Sequence, residues 1–83
     1  MTKALAKEVA RFNVTVNAVA PGFVETEIVQ SMPVEGRAET LKEILLGRPG
    51  TVQEVAELVA FLCGDRARFI TGEVIRVDGG QYV

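Results

Sequence analysis

Val14–Thr26, read Val-Thr-Val-Asn-Ala-Val-Ala-Pro-Gly-Phe-Val-Glu-Thr, is the stretch of this chain best placed to do chemistry. Its first seven residues are uncharged and mostly β-branched or small. They predict a buried parallel strand over Val14–Ala20 that runs straight into a Pro-Gly pair. In open α/β sheets the binding crevice lies outside the carboxyl ends of the strands, so the residues after Ala20 are a candidate wall of a ligand site. Pro21 ends the ladder because it lacks an N–H, and Gly22 lets the backbone come close to something large. The chemistry such a loop offers is binding.

Other reactive side chains are scarce. Cys63 is the only cysteine and there is no histidine, so no internal disulfide can form and the usual zinc ligands are missing. Nothing basic adjoins Cys63 on its apolar stripe, and it reads as a small core residue, not a reactive thiol. A reduced, cytoplasmic setting fits. The formal charge of −2, with 24% charged residues of both signs, provides neither a basic field for nucleic acid nor an acidic tail. Charged residues interrupt every long apolar segment, which leaves no membrane span, and the first residues do not resemble a signal peptide.

An 83-residue chain makes one domain at most, and a domain of this size buries only about two-thirds of the surface of its unfolded chain. A hydrophobic content of 48% is high for so thin a core. It implies faces meant to be covered by more protein.

The elements that would position the loop are spread along the whole chain. Thr2–Phe12 carries Leu5, Val9 and Phe12 at i, i+4 and i+7 and predicts an amphipathic helix, with Lys3, Lys7 and Arg11 on another face that either is solvated or docks a partner. The periodicity is under way at Thr2 without a start signal, as if first turns were lost. Asn13 breaks this helix. Phe23–Gly47 is the least regular part: Pro33 and Gly36 interrupt it, and Leu41, Ile44 and Leu45 lie at helical spacing within Ala38–Leu46. A lid over a substrate and a plain surface excursion are both open for this segment.

After Gly47-Arg-Pro-Gly50, Thr51 and Glu54 form a capping box that opens a helix from Val52 to about Cys63. Val52, Val55, Ala56, Val59, Leu62 and Cys63 make its broad stripe, with Leu58 and Phe61 off it, and Gly64 stands at the expected left-handed C-cap. A helix apolar on nearly two sides implies a subunit or domain contact. Glu73–Val77 predicts a second strand, ended by Asp78-Gly79-Gly80, and strand, crossover and strand are the parts of a βαβ unit.

These residues resemble a known family. The runs Asn17-Ala-Val-Ala-Pro-Gly-Phe-Val-Glu-Thr26, Gly47-Arg-Pro-Gly-Thr-Val-Gln-Glu-Val-Ala56, Val59-Ala-Phe-Leu62 and Ile70-Thr-Gly-Glu-Val-Ile-Arg-Val-Asp-Gly-Gly80 are similar to the carboxyl-terminal part of short-chain dehydrogenase/reductases. Within that family they are most similar to the 3-oxoacyl-[acyl-carrier-protein] reductases. The resemblance covers essentially the whole chain. It implies an α/β fold, the C-terminal portion of a Rossmann-type doubly wound parallel sheet, with residues 1–83 as a partial single domain and no second domain. It also implies hydride transfer between NADP or NAD and a carbonyl or alcohol. By that resemblance Pro21 and Gly22 shape the loop at the nicotinamide, the backbone of Val24 meets its carboxamide, and the Thr26 hydroxyl reaches the carboxamide or a phosphate. Such contacts fix the rotation of the ring. Thr26 also reads as a cap on a following short helix, and Asn17 as a buried amide serving nearby backbone.

Departures from the family pattern limit what the chain does by itself. No Gly-rich strand-to-helix turn is present for pyrophosphate. Tyr82, the only tyrosine, has no lysine four residues on, and Ser31, the only serine, lies in the irregular segment. Neither fits the family's catalytic pair, so no catalytic residue is expected. Two readings are open. One is a segment of a reductase whose partners are the remainder of the chain or another subunit, within a homo-oligomer. The other is a non-catalytic association module derived from such an enzyme. In both, the open sheet edge makes the isolated chain unstable or oligomeric.

Overall fold

The computed structural model describes residues 1–82. Its elements are α1 (Thr2–Val9), β1 (Ala18–Pro21), α2 (Glu27–Gln30), α3 (Val34–Lys42), α4 (Val52–Leu62) and β2 (Val74–Val77). β1 and β2 form a parallel pair in which Ala18 faces Val74 and Pro21 faces Val77. The expected pairing therefore holds, and α2, α3 and α4 lie in the crossover between the strands.

Both strands start later than predicted, and β1 runs one residue further, to Pro21, which pairs opposite Val77. The ladder begins at Ala18, not Val14, because Asn17 occupies the pairing position with its side chain: Nδ2 donates to the Ile70 carbonyl at 3.0 Å and Oδ1 accepts from the Glu73 N–H at 3.2 Å. Its predicted role of satisfying nearby backbone is what the structure shows, though the residue is half-buried. Upstream, the Val16 N–H donates to the Thr71 hydroxyl and the Gly72 N–H to the Val16 carbonyl, so the two segments are already side by side. Along β2, Ile75 and Val77 turn inward and Val74 and Arg76 outward, a cleaner alternation than the sequence suggests.

α1 is helical to Val9, tightens into a 3₁₀ turn over Ala10–Phe12, and stops at Asn13 with φ 61°. Asparagine tolerates that left-handed geometry, which explains why the helix breaks there. Its inward residues are Ala6 and Val9, whereas Leu5 is exposed and Phe12 is 63% exposed. The predicted stripe of Leu5, Val9 and Phe12 is thus only partly used.

Pro33 does not interrupt the middle segment. It precedes the first turn of α3 and starts it, because a fixed φ costs nothing where no N–H partner is needed. Gly36 lies within the helix, and α3 ends before Ile44, which is buried while Leu45 is exposed.

The capping box at α4 is present as predicted: the Glu54 N–H donates to the Thr51 hydroxyl, and the Thr51 N–H donates back to the Glu54 carboxylate, both at 3.0 Å. Arg48 donates two hydrogen bonds of 2.9 Å to the same carboxylate. The Arg48 contact first, and then the Thr51 backbone, hold the Glu54 pKa down to about 2. Depression means that the stabilisation is complete above the usual carboxylate value and is lost as pH falls towards about 2. Protection of the amides at the start of α4, measured as exchange relative to an unstructured chain at the same pH, is expected to fall on acidification through that window, and Glu54→Gln is expected to flatten the acid dependence.

The face of α4 differs from the predicted stripe. Val55, Leu58 and Leu62 are half-buried, while Val52, Val59 and Cys63 are exposed. Cys63 is therefore not a core residue here, since none of the described residues covers it. Gly64 is not left-handed either. It has φ −98° and precedes a 3₁₀ turn at Asp65–Ala67, so the last turn of α4 closes without a positive φ.

Candidate nicotinamide-side loop

Pro21 closes β1, and residues 22–26 form the loop beyond its carboxyl end, where the crevice of a parallel sheet lies. The loop is held on several sides. On one, the Gly22 N–H donates to the Val77 carbonyl at 3.0 Å, and the Phe23 N–H to Gln81 Oε1 at 3.0 Å. On another, the Gly50 N–H donates to the Phe23 carbonyl at 2.9 Å and the Glu25 N–H to the Gly50 carbonyl at 2.8 Å. A half-buried ion pair from Glu25 to Arg37 ties the loop to α3.

This bonding pattern leaves Val24 distinctive. It bridges Gly50 in parallel fashion, but the bonds of that bridge belong to its neighbours, Phe23 and Glu25. The N–H and C=O of Val24 point away from Gly50, and among the described residues neither has a protein partner. One residue thus presents an adjacent donor and acceptor, the complement of a primary carboxamide.

Each of the remaining predicted site residues has a structural role as well. Gly22 is demanded by the protein itself: a Cβ there would lie 2.7 Å from Asp78 Cβ and 2.7 Å from Gln81 Oε1. The space reserved by its missing side chain is filled by the turn after β2. The Thr26 hydroxyl accepts from the Val29 N–H at 3.3 Å and caps α2, which leaves its own proton free to donate. Ser31 bonds the Ile28 carbonyl, and Tyr82 is exposed.

Gln81 is a site residue that sequence reasoning missed, because nothing local marks a glutamine as reaching a loop so distant in the chain. Gly79 and Gly80 are explained by the packing of the turn. They have φ of +60° and +87°, and Cβ atoms there would lie 2.9 Å from Ile44 and 2.8 Å from Leu45. No group of three or more potential metal-ligating side chains occurs among the described residues, and no helix is long and apolar enough to cross a membrane.

A parallel strand pair with a helical crossover and a held loop at its carboxyl end is of the Rossmann-type α/β class. The chain belongs to the family described as Enoyl-(Acyl carrier protein) reductase, whose family model matches residues 1–81. It is similar to the 3-oxoacyl-[acyl-carrier-protein] reductase FabG of Thermotoga maritima, with 49% identity over 83 residues, all of this chain and 34% of the relative. The FabG of Aquifex aeolicus is 52% identical over 81 residues, covering 98% of this chain and 33% of the relative. The crystal structure of the 3-oxoacyl-[acyl-carrier protein] reductase from Brucella melitensis superposes with a TM-score of 0.96 at 36% identity, covering 99% of this chain and 31% of that one. The chain thus spans about one third of the length of these relatives, and the resemblance to short-chain dehydrogenase/reductases holds over that third.

Proposed function

We propose that this chain is the C-terminal segment of an NAD(P)H-dependent short-chain reductase, a partial single domain that supplies the nicotinamide-side loop for reduction of a 3-oxoacyl thioester or similar carbonyl. The observation that carries this reading is Val24, whose N–H and C=O, without a protein partner among the described residues, stand together beyond the end of a parallel strand. The cofactor, when bound, supplies the hydride. Val24 would accept from the carboxamide NH₂ and donate to its oxygen, holding the ring face-on to the substrate carbon. Pro21 and Gly22 hold the loop in place, and Thr26 donates its free proton to the carboxamide or a phosphate.

The residues that move the proton and grip the pyrophosphate belong to the remainder of the reductase, in cis or from another subunit, so 83 residues alone give no turnover. The setting proposed for it is a cytoplasmic homo-oligomer, with neither nucleic acid nor membrane as partner. A non-catalytic association module is the second reading, favoured by the uncovered Val52 and Val59 side of α4.

A chimera tests the proposal: this chain replaces the matching third of the Thermotoga maritima relative. It is expected to reduce a 3-oxoacyl thioester with NADPH or NADH, and Val24→Pro, which deletes the N–H, is expected to raise the cofactor KM at least about tenfold, the worth of one directed hydrogen bond. A folded chimera without activity, or a Val24→Pro variant with unchanged KM, would overturn it. By itself the chain is expected to bind NADPH more weakly than micromolar in a fluorescence titration.

A further inference from the structure

Resting on the reading of residues 22–26 as the cofactor-facing loop, we propose that Gln81 is a positioning residue for Val24, its amide fastening that loop to the turn after β2 and to the segment following α3.

The register of the sheet brings Gln81 there. Pro21 lies opposite Val77, so the chain leaving β2 emerges beside the loop leaving β1. Positive φ at Gly79 and Gly80 turns it back, and the Gln81 N–H closes the turn on the Asp78 carbonyl at 3.0 Å. From this position Gln81 Oε1 accepts the Phe23 N–H at 3.0 Å, while Nε2 lies 3.4 Å from the Glu43 carboxylate. Only one orientation of the amide serves both neighbours, because an N–H requires an acceptor and a carboxylate requires a donor. The missing Cβ of Gly22 leaves room for that oxygen.

The consequence reaches Val24 through peptide planarity. In a trans peptide the carbonyl and the next N–H point in opposite directions. Gly50 holds the Phe23 carbonyl, which aims the Val24 N–H away from Gly50. Gln81 holds the preceding peptide plane through the Phe23 N–H. With both planes held, the torsions of Phe23 are set, and so is the direction in which Val24 presents its donor. Glu43 links this anchor to the end of α3, which the Glu25 to Arg37 ion pair also joins to the loop.

Site-resolved amide exchange in the chimera with the Thermotoga maritima relative, and in two variants of it, tests the anchor without any cofactor. Gln81→Leu is expected to accelerate exchange at Phe23 at least tenfold relative to Gly22 and Glu25, whose bonds do not involve Gln81. Gln81→Glu, which keeps an acceptor oxygen for Phe23 but sets a second carboxylate against Glu43, is expected to restore it in part. Equal exchange at Phe23 in the unsubstituted and Gln81→Leu chimeras, equal acceleration at all three amides, or failure of Gln81→Glu to restore any protection would each overturn the proposal. In the chimera, Gln81→Leu is expected to raise the NADPH KM severalfold, with Gln81→Glu intermediate; an unchanged KM would overturn the positioning role. A chimera that does not use NADPH, with the exchange pattern intact, would sink the cofactor reading and not the anchor.

Discussion

Gly22→Ala is expected to lower stability by about 3 kcal/mol, the upper end of the range for forcing extra carbon into a packed site. The added Cβ would meet Asp78 Cβ at 2.7 Å and Asp78 Cα at 3.0 Å. One of these is a backbone atom, so no rotamer change relieves the overlap. Relief requires the loop to lift from the β2 turn, which breaks the bonds from Gly22 to Val77 and from Phe23 to Gln81. Gly36→Ala is the matched control, because that glycine lies inside α3 with nothing within 4 Å of an added Cβ. It is expected to stabilise by about 1 kcal/mol through helix propensity alone. Denaturation of the two variants within the chimera with the Thermotoga maritima relative checks the contrast, and two shifts of the same sign would contradict it.

The 83-residue chain on its own is expected to associate or to remain loosely packed. It exposes 6278 Å² and has a radius of gyration of 15.6 Å. Compact proteins of this mass expose roughly 4,900 Å², and a compact chain of this length has a radius of about 12 Å. The excess is rich in apolar groups. Phe69 is fully exposed and Ile28, Val34 and Leu45 largely so, while Ala6, Val29, Ile44 and Ala67 are the buried hydrophobic residues among those described. So small a core cannot offset the entropy of ordering the backbone. Light scattering is expected to show species larger than 9.0 kDa, or a chain that binds a hydrophobic dye and melts without cooperativity. A compact monomer with a sharp melt would contradict the argument from surface area.

Legibility in the sequence tracked the range of the interactions. The Thr51 to Glu54 box, the break at Asn13 and the apolar runs of both strands depend on residues within a few positions of one another, and all were read directly. The inward faces of the helices were read less well. Periodicity identifies an apolar side, but Leu58 turned inward and Cys63 outward because what covers a helix is decided by its neighbours. Gly64 shows the same limit: a glycine after a helix permits a left-handed cap and does not compel one.

For the loop after β1, the residues alone marked the end of a strand at a Pro-Gly pair and a glycine whose backbone is free to approach another group closely. The reason is local, since proline lacks a donor and glycine lacks a Cβ whatever surrounds them. Only the tertiary structure decided what that freedom is used for. Parallel register places Asp78 and Gln81 in the space Gly22 leaves, and pairing with Gly50 turns the N–H and C=O of Val24 outward. Hydrogen bonds between groups more than twenty residues apart made those choices, and the spacing of residues along one chain does not encode their direction.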